Sequence, residues 1–202
     1  MALNSSNIVV GAARIFLGPT GTTKPAPVAG TRYRTTLLAN GSWTEIGYTT
    51  DGFQVATDPT YTDIEVDQSL DSAKVIKTGM SVNVSTTMVE ATLDNLLMAW
   101  GQQASTLSSL SASERELTIE AGQLGDAPFE RGLIAVSNAP GPNVSTYGER
   151  VYHLYRVLSV EASTHTLSRT DPTGIPVTFR ALPDDTTLRY GTLRDRQGPF
   201  TS

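Results

Sequence analysis

Cysteine is absent from the 202 residues. Its absence removes disulfide scaffolds, thiol nucleophiles, iron–sulfur clusters and cysteine-bound zinc together. Histidine is almost absent. His153 and His165 are the only two, too few for a His-rich metal or acid–base centre. Charge is sparse at 17%, below the usual quarter, which argues against a disordered chain and against a coiled coil. Bases are outnumbered 15 to 20, and a net charge of −5 has the wrong sign for tight nucleic-acid binding. Long apolar runs are missing too. Residues 8–17 form the longest, and Gly11 and Arg14 interrupt it. It is too short to span a bilayer, and no basic segment precedes it. The expectation is a chain made in a cytoplasm, with no membrane partner.

What is present suits one β-rich domain. Apolar residues make up 39% of the chain. A domain of this length hides about 70% of its unfolded surface. Val- and Ile-rich or alternating stretches predict strands over 8–17, 43–48, 52–57, 60–70, 73–90, 114–121, 132–137, 150–163, 175–181 and 186–193. Asp51-Gly52 predicts a hairpin turn between two of them, because both residues tolerate positive φ. The stretch 73–90 is the clearest. Ile76, Met80, Val82, Val84 and Met88 alternate with Lys77, Ser81, Asn83, Ser85 and Thr87. That pattern is a strand with one face on the core and one face wet.

One helix is predicted over 92–101. Thr92 can cap it, Asp94 lies in its first turn, and Gly101 follows Trp100. Leu93, Leu96, Leu97 and Trp100 give it one apolar stripe. The Gly/Pro-rich stretch 18–42 reads as a long loop. Residues 102–113 read as a Ser-rich linker, and the termini 1–7 and 194–202 read as loose. No internal repeat or composition break divides the chain. The expectation is a single domain over 1–202, a β-sandwich or barrel with one flanking helix.

Catalytic motifs fail when tested. Gly18-Pro19-Thr20-Gly21-Thr22-Thr23-Lys24 has glycines and a lysine. A phosphate-binding loop needs Gly-Lys-Ser/Thr followed by a helix, whereas Pro25 follows here. There is no Gly-x-Ser-x-Gly elbow. His153 reads as a packed or surface residue of a strand, and His165 as a hairpin tip. The expectation is no enzyme, no cofactor and no metal.

Asp63-Ile64-Glu65-Val66-Asp67 would put three carboxylates on one strand face, with Ile64 and Val66 turned to the core. Four readings fit: a calcium site, a glycosidase pair, a negative surface strip, or a solvated edge strand whose charges block aggregation. The wider pattern favours the strip. Between Thr35 and Ala73 there is no Lys or Arg, yet there are Glu45, Asp51, Asp58, Asp63, Glu65, Asp67 and Asp71. The rest of the chain, with thirteen acids and fifteen bases, is slightly positive. A concentrated negative field repels other anions.

These residues carry a resemblance. Trp43-Thr44-Glu45-Ile46-Gly47-Tyr48-Thr49-Thr50-Asp51-Gly52-Phe53 resembles the W-x-x-I/L-G-x-T-x-x-G segment of tail tube proteins from long-tailed bacteriophages. Ile64-Glu65-Val66-Asp67-Gln68-Ser69 is similar to their V-D-Q strand. The long strand running into the helix resembles their core. The match spans about residues 43–100, and the proline-rich 18–42 stretch suits the branch from actinobacterial hosts. The resemblance implies a structural virion protein of the phage tail, assembled in the host cytoplasm. Hexameric rings would stack into a tube that conducts the genome at ejection. Its partners would be further copies of itself and other tail proteins (tape measure, tail terminator, distal tail). DNA would pass without specific binding. The stretch 18–42 and the arms would reach a neighbouring ring. Asp58, Asp63, Glu65, Asp67 and Asp71 are the candidates to face the lumen.

Two other classes compete. One is a non-tube β-sandwich module for tail completion, decoration or carbohydrate binding, for which Tyr147, Tyr152 and Tyr155 could form an aromatic platform. The other is a small hydrolase built on paired carboxylates.

Overall fold

The computed structural model describes residues 9, 11–68, 71–140, 148–161, 163–169, 173–196, 198 and 200. Ten strands and two α-helices follow in chain order: β1 (Arg14–Pro19), α1 (Tyr33–Asn40), β2 (Thr44–Glu45), β3 (Thr49–Ile64), β4 (Lys74–Met88), α2 (Leu93–Ala99), β5 (Leu107–Ser111), β6 (Glu114–Leu117), β7 (Arg131–Asn138), β8 (Glu149–Ser159), β9 (Ile175–Leu182) and β10 (Gly191–Arg196). A short 3-10 turn, Ala104–Thr106, leads into β5. The fold is mainly β, as the alternation predicts.

Every pairing among the described residues is antiparallel. The main sheet runs β2-β1-β7-β8-β9-β4-β3, and β5 and β6 form a separate hairpin. β8 is shared lengthwise. Its first half pairs with β10 and its last residues pair with β9. A bulge opposite Gly132 reverses the facing of β8 between these halves.

Two apolar clusters lie on opposite sides of β1 and β7. The larger holds Ile15, Leu17, Leu133, Ala135, Val82, Val84, Phe179 and the buried face of α2. The smaller holds Phe16, Ile134, Val136, Val151 and Trp43, closed by Tyr33 and Leu37 of α1. Strands buried on both faces read as unbroken apolar runs, which is why β1 is Ile15-Phe16-Leu17 and β7 carries Leu133-Ile134-Ala135-Val136.

Helix α2 forms as its signals predict. The Thr92 hydroxyl accepts a bond from the Asn95 N–H at 3.2 Å, and Gly101 closes the end at φ 64°. Several expectations are corrected. The stretch 18–42 is not all loop: it contains α1, whose Tyr33 and Leu37 pack into the smaller cluster, while residues 26–30 are exposed. Residues 194–196 complete β10 rather than hanging free. Asp51 and Gly52 do adopt positive φ, 63° and 72°, but they form a bulge inside one continuous strand and no hairpin. The Thr86 hydroxyl fastens that bulge by donating to the Gly52 carbonyl at 2.8 Å. Of 43–48 only Thr44–Glu45 is strand, and of 102–113 the last part is β5. Residues 1–7 lie outside the described residues.

Candidate assembly surface

The β3–β4 hairpin is longer than the body that supports it. β9 pairs with β4 only from Val82 to Met88. Among the described residues no strand pairs with the far side of β3, an edge strand. Beyond Met80 the two strands continue as a free ribbon, with Pro59 opposite Met80 at its base and Ile64 opposite Lys74 at its end. Inside the body the predicted alternation holds: Val82, Val84 and Met88 are buried and Ser81, Asn83, Ser85 and Thr87 are half-exposed. Outside the body both faces meet solvent. Tyr61 is 57% exposed, Val75 58%, Ile76 40% and Ile64 40%. The expected core positions of Ile64, Val66, Ile76 and Met80 are therefore corrected. Among the described residues no element covers the ribbon, so correct strand patterning there buries nothing.

A second bulge sits on the ribbon. Thr60 pairs with Gly79 and Tyr61 with Lys77, leaving Thr78 extra. Its hydroxyl donates to the Thr60 carbonyl at 3.3 Å. The extra residue brings Lys77 to the face of Met80, and its ammonium reaches the Met80 sulfur at 3.1 Å.

The five acids do not share a strand face. Asp58 pairs with Ser81 and stands on the polar face with Asn83 and Ser85. Asp63, five residues on, faces the other way. β3 ends at Ile64, so Glu65 and Asp67 belong to the connection at the ribbon's end. Asp71 also precedes β4 and accepts from the Ser72 N–H at 2.8 Å. All five are exposed. Among the described residues Asp58, Asp63, Glu65 and Asp67 form no ion pair. Glu45 differs: Arg14 holds it at 3.0 Å and Arg34 at 3.2 Å. Among the described residues no three His, Asp or Glu side chains are grouped to hold a metal.

A second surface mixes both charges, with Lys24, Arg156 and Arg189 set beside Asp184. A cleft of about 350 Å³ opens between residues 20–24 and the turn before β10, with His153 and Tyr155 in its floor. Arg156 is committed there, bound to Glu130 at 2.6 Å and to Asp185 at 2.6 Å. Lys24 is half-buried and makes no ion pair among the described residues. Burial, with Arg194 adding like charge, holds its ammonium below the usual lysine range. Burial and the nearby Lys24 push His153 down to about 4. Residues 18–24 pass into a turn, Thr22 N–H to the Pro19 carbonyl at 3.2 Å, and the next helix starts only at Tyr33. No helix N-terminus faces Lys24, consistent with the failed phosphate-loop spacing.

The 43–52 motif has a physical content. Trp43 is 3% exposed and lies on the paired glycines Gly18 and Gly132, where an added Cβ would meet its ring at 3.0 Å. Ile46 is buried in the main core. Gly47 adopts φ 81°, and a side chain there would collide with the Glu90 carboxylate, which accepts from the Tyr48 N–H at 2.9 Å. Asn95 escaped the sequence reading. It is buried, and its amide donates to the carbonyls of Ile46 at 2.9 Å and Glu90 at 2.7 Å, joining α2 to the motif. Asn95 lies two residues from Leu93, on the side of α2 away from the predicted Leu93, Leu96, Leu97 and Trp100 stripe, so the sequence offered no signal for it.

The aromatic platform is not assembled. Tyr152 packs on Phe53 at the main core, Tyr155 lines the cleft beside His153, and Tyr147 lies outside the described residues. Among the described residues no helix is long and apolar enough to cross a membrane. No curated protein matches the chain. The sequence model of a family described as phage tail tube protein matches residues 1–196. A structural β-domain with an uncovered strand ribbon and a W-x-x-I-G-x-T-x-x-G segment built into its core thus belongs to the phage tail tube protein family, which places it in the virion tail.

Proposed function

We propose that this tail tube protein forms hexameric rings that stack into a hollow tube, and that the phage genome passes through the tube at ejection. The observation that carries the reading is the β3–β4 ribbon. A two-stranded hairpin without a covered face is marginal in water, and this one exposes Tyr61, Ile64, Val75 and Ile76. Those side chains gain a buried environment only against another molecule. A second copy is the occupant that family membership supports. Covering the ribbon in this way also removes an edge strand that would otherwise invite aggregation.

Asp58 is the carboxylate we assign to the lumen. Its face, with Ser81, Asn83 and Ser85, offers short polar side chains, and Arg180 of β9 is the cation beside it. Asp63, Glu65, Asp67 and Asp71 lie beyond that wall, on the ribbon's other face or at its end. The partners are then other copies and the tail proteins that cap and fill a tube, with DNA passing unbound.

The test is negative-stain microscopy and sedimentation of the purified full chain across a concentration series. Hollow, regularly striated tubes or six-membered rings are expected. A monomer at every concentration overturns the reading.

A further inference from the structure

The end of α1 leaves two neighbouring groups open to reaction with each other. Asn40 is the last residue of the helix and is exposed. Gly41 follows in the left-handed region at φ 72°, and an added Cβ there would meet nothing within 4 Å. This is the chain's one Asn-Gly pair. Among the described residues the Asn40 side chain makes no hydrogen bond and the Gly41 N–H donates to no carbonyl. Helix α2 ends differently. Its Trp100 N–H returns to the Leu96 carbonyl at 2.9 Å and the Gly101 N–H to the Met98 carbonyl at 3.3 Å.

Little holds that end of α1 in place. The helix has eight residues and no base in its last turn. A helix of that length is marginal in water by itself, and helix ends fray. The contacts that fix α1 lie earlier, at the Tyr33 N–H on Glu149 and at Tyr33 and Leu37 in the smaller cluster. Residues 38–42 are all exposed, so Asn40 can leave the helical conformation without uncovering the core. The other asparagines in regular structure are fixed on both sides: Asn83 lies within β4 before Val84, and Asn95 within α2 before Leu96. Asp51-Gly52, the comparable acidic pair, is held inside β3 by the Thr86 bond to the Gly52 carbonyl.

We propose that Asn40 deamidates spontaneously in the folded chain, through attack by the Gly41 nitrogen. Glycine puts no Cβ beside the reacting atoms, so the approach is unhindered. The deprotonated Gly41 nitrogen bonds to the Asn40 Cγ, the Cγ–Nδ2 bond breaks, and ammonia leaves a five-membered succinimide. Water opens the ring at either carbonyl. One opening gives aspartate, and the other gives isoaspartate, with the main chain running through the former side chain. No electrons are transferred, and water is the co-reactant. Either product adds a negative charge at the carboxyl end of α1, where the helix dipole is already negative. Isoaspartate also lengthens the main chain by one carbon three residues before Trp43, whose ring rests on Gly18 and Gly132. A chain in the virion tail is not replaced once the particle is released, so the product accumulates with age.

The test keeps the purified full chain dilute and folded at mildly alkaline pH. Samples taken over weeks go to peptide mass spectrometry and to labelling by an isoaspartyl methyltransferase. Wild type unfolded in guanidinium and folded Asn40→Gln run in parallel; the longer side chain of glutamine would need a six-membered ring. Conversion at Asn40 is expected to proceed within about tenfold of its rate in the unfolded chain, because local opening there costs little. Asn83 and Asn95 are expected to stay amidated in the folded sample, and Asn40→Gln to remain unlabelled. An Asn40 that stays amidated in the folded chain while the unfolded chain converts overturns the proposal, since the fold then protects the site. Conversion spread evenly over Asn40, Asn83 and Asn95 overturns it as well, because it reports global unfolding. Assembly is not a readout, so either failure leaves the tube reading intact.

Discussion

His153 shows how a residue that suggests chemistry can be structural. It is 9% exposed, edge-on to Trp43 at 6.1 Å and to Tyr155 at 5.0 Å. Lys24 is the charge nearest in effect, and it opposes protonation. The folded state therefore binds a proton only near pH 4, whereas an unfolded chain binds one near 6.5. Because the unfolded state holds more protons in that window, stability is full above pH 6.5 and falls as pH drops toward 4. The loss is at most about 3 kcal/mol. His153→Gln is expected to flatten the melting temperature between pH 7 and pH 4.5 relative to wild type. Parallel pH curves for the two proteins would remove the assignment. Of the residue-scale features, Trp43 and Ile46 were legible as pattern and Asn95 was not. The bonds Asn95 makes run to backbone carbonyls, which no side-chain pattern encodes.

The elements divide by whether their signals are local. β4 and α2 were legible because alternation, the Thr92 cap and Gly101 all lie inside the segments concerned. α1 was not. Its N-cap Arg32 makes no side-chain cap bond, and no acid lies in its first turn. The cap comes from Glu149, whose buried carboxylate accepts from the Tyr33 N–H at 3.0 Å and is itself held by Arg196 at 2.9 Å. A helix started by a residue 116 positions away looks like a loop in sequence. The ribbon failed differently: its periodicity was right, but periodicity reports which face is apolar and not whether anything covers it. That difference is testable. Replacing residues 62–76 by Asn-Gly closes the hairpin at the Tyr61–Lys77 pair with a turn suited to two residues. None of the described residues removed belongs to either apolar cluster. The shortened chain is expected to stay folded, its melting temperature within a few degrees of wild type, and to form no tubes. Tubes from it would mean that the ribbon is not the assembly element.

For the whole molecule, charge separates surfaces that chain position keeps together. The acidic segment 35–73 is continuous in sequence, but the fold spends it in three ways. Glu45 is neutralised by Arg14 and Arg34, Asp58 joins the polar wall of the sheet, and Glu65 and Asp67 are carried to the ribbon's end. The sequence could not separate these roles. Composition gives the sum of a charge run, and the five-residue spacing of Asp58 and Asp63 along β3 and the end of that strand decide where each carboxylate lies. If the polar wall lines a tube, Asp58 recurs in every copy of every ring, and its field extends about 8–10 Å from the wall at physiological salt. That field offsets the single positive charge of Arg180 on the same wall, and Ser81, Asn83 and Ser85 add no further cation to grip phosphates. Asp58→Lys should leave the fold and tube assembly unchanged, because Asp58 is exposed and unpaired in the single chain. It should also leave Arg180 unopposed and turn the wall into an attracting one. DNA ejection from particles carrying the variant is then expected to slow several-fold in low salt and to recover toward wild type as salt screens the attraction. The control is Asp58→Asn, which removes charge without adding a cation and should slow ejection much less. Equal ejection rates for Asp58→Lys and wild type in low salt would place this face away from the DNA.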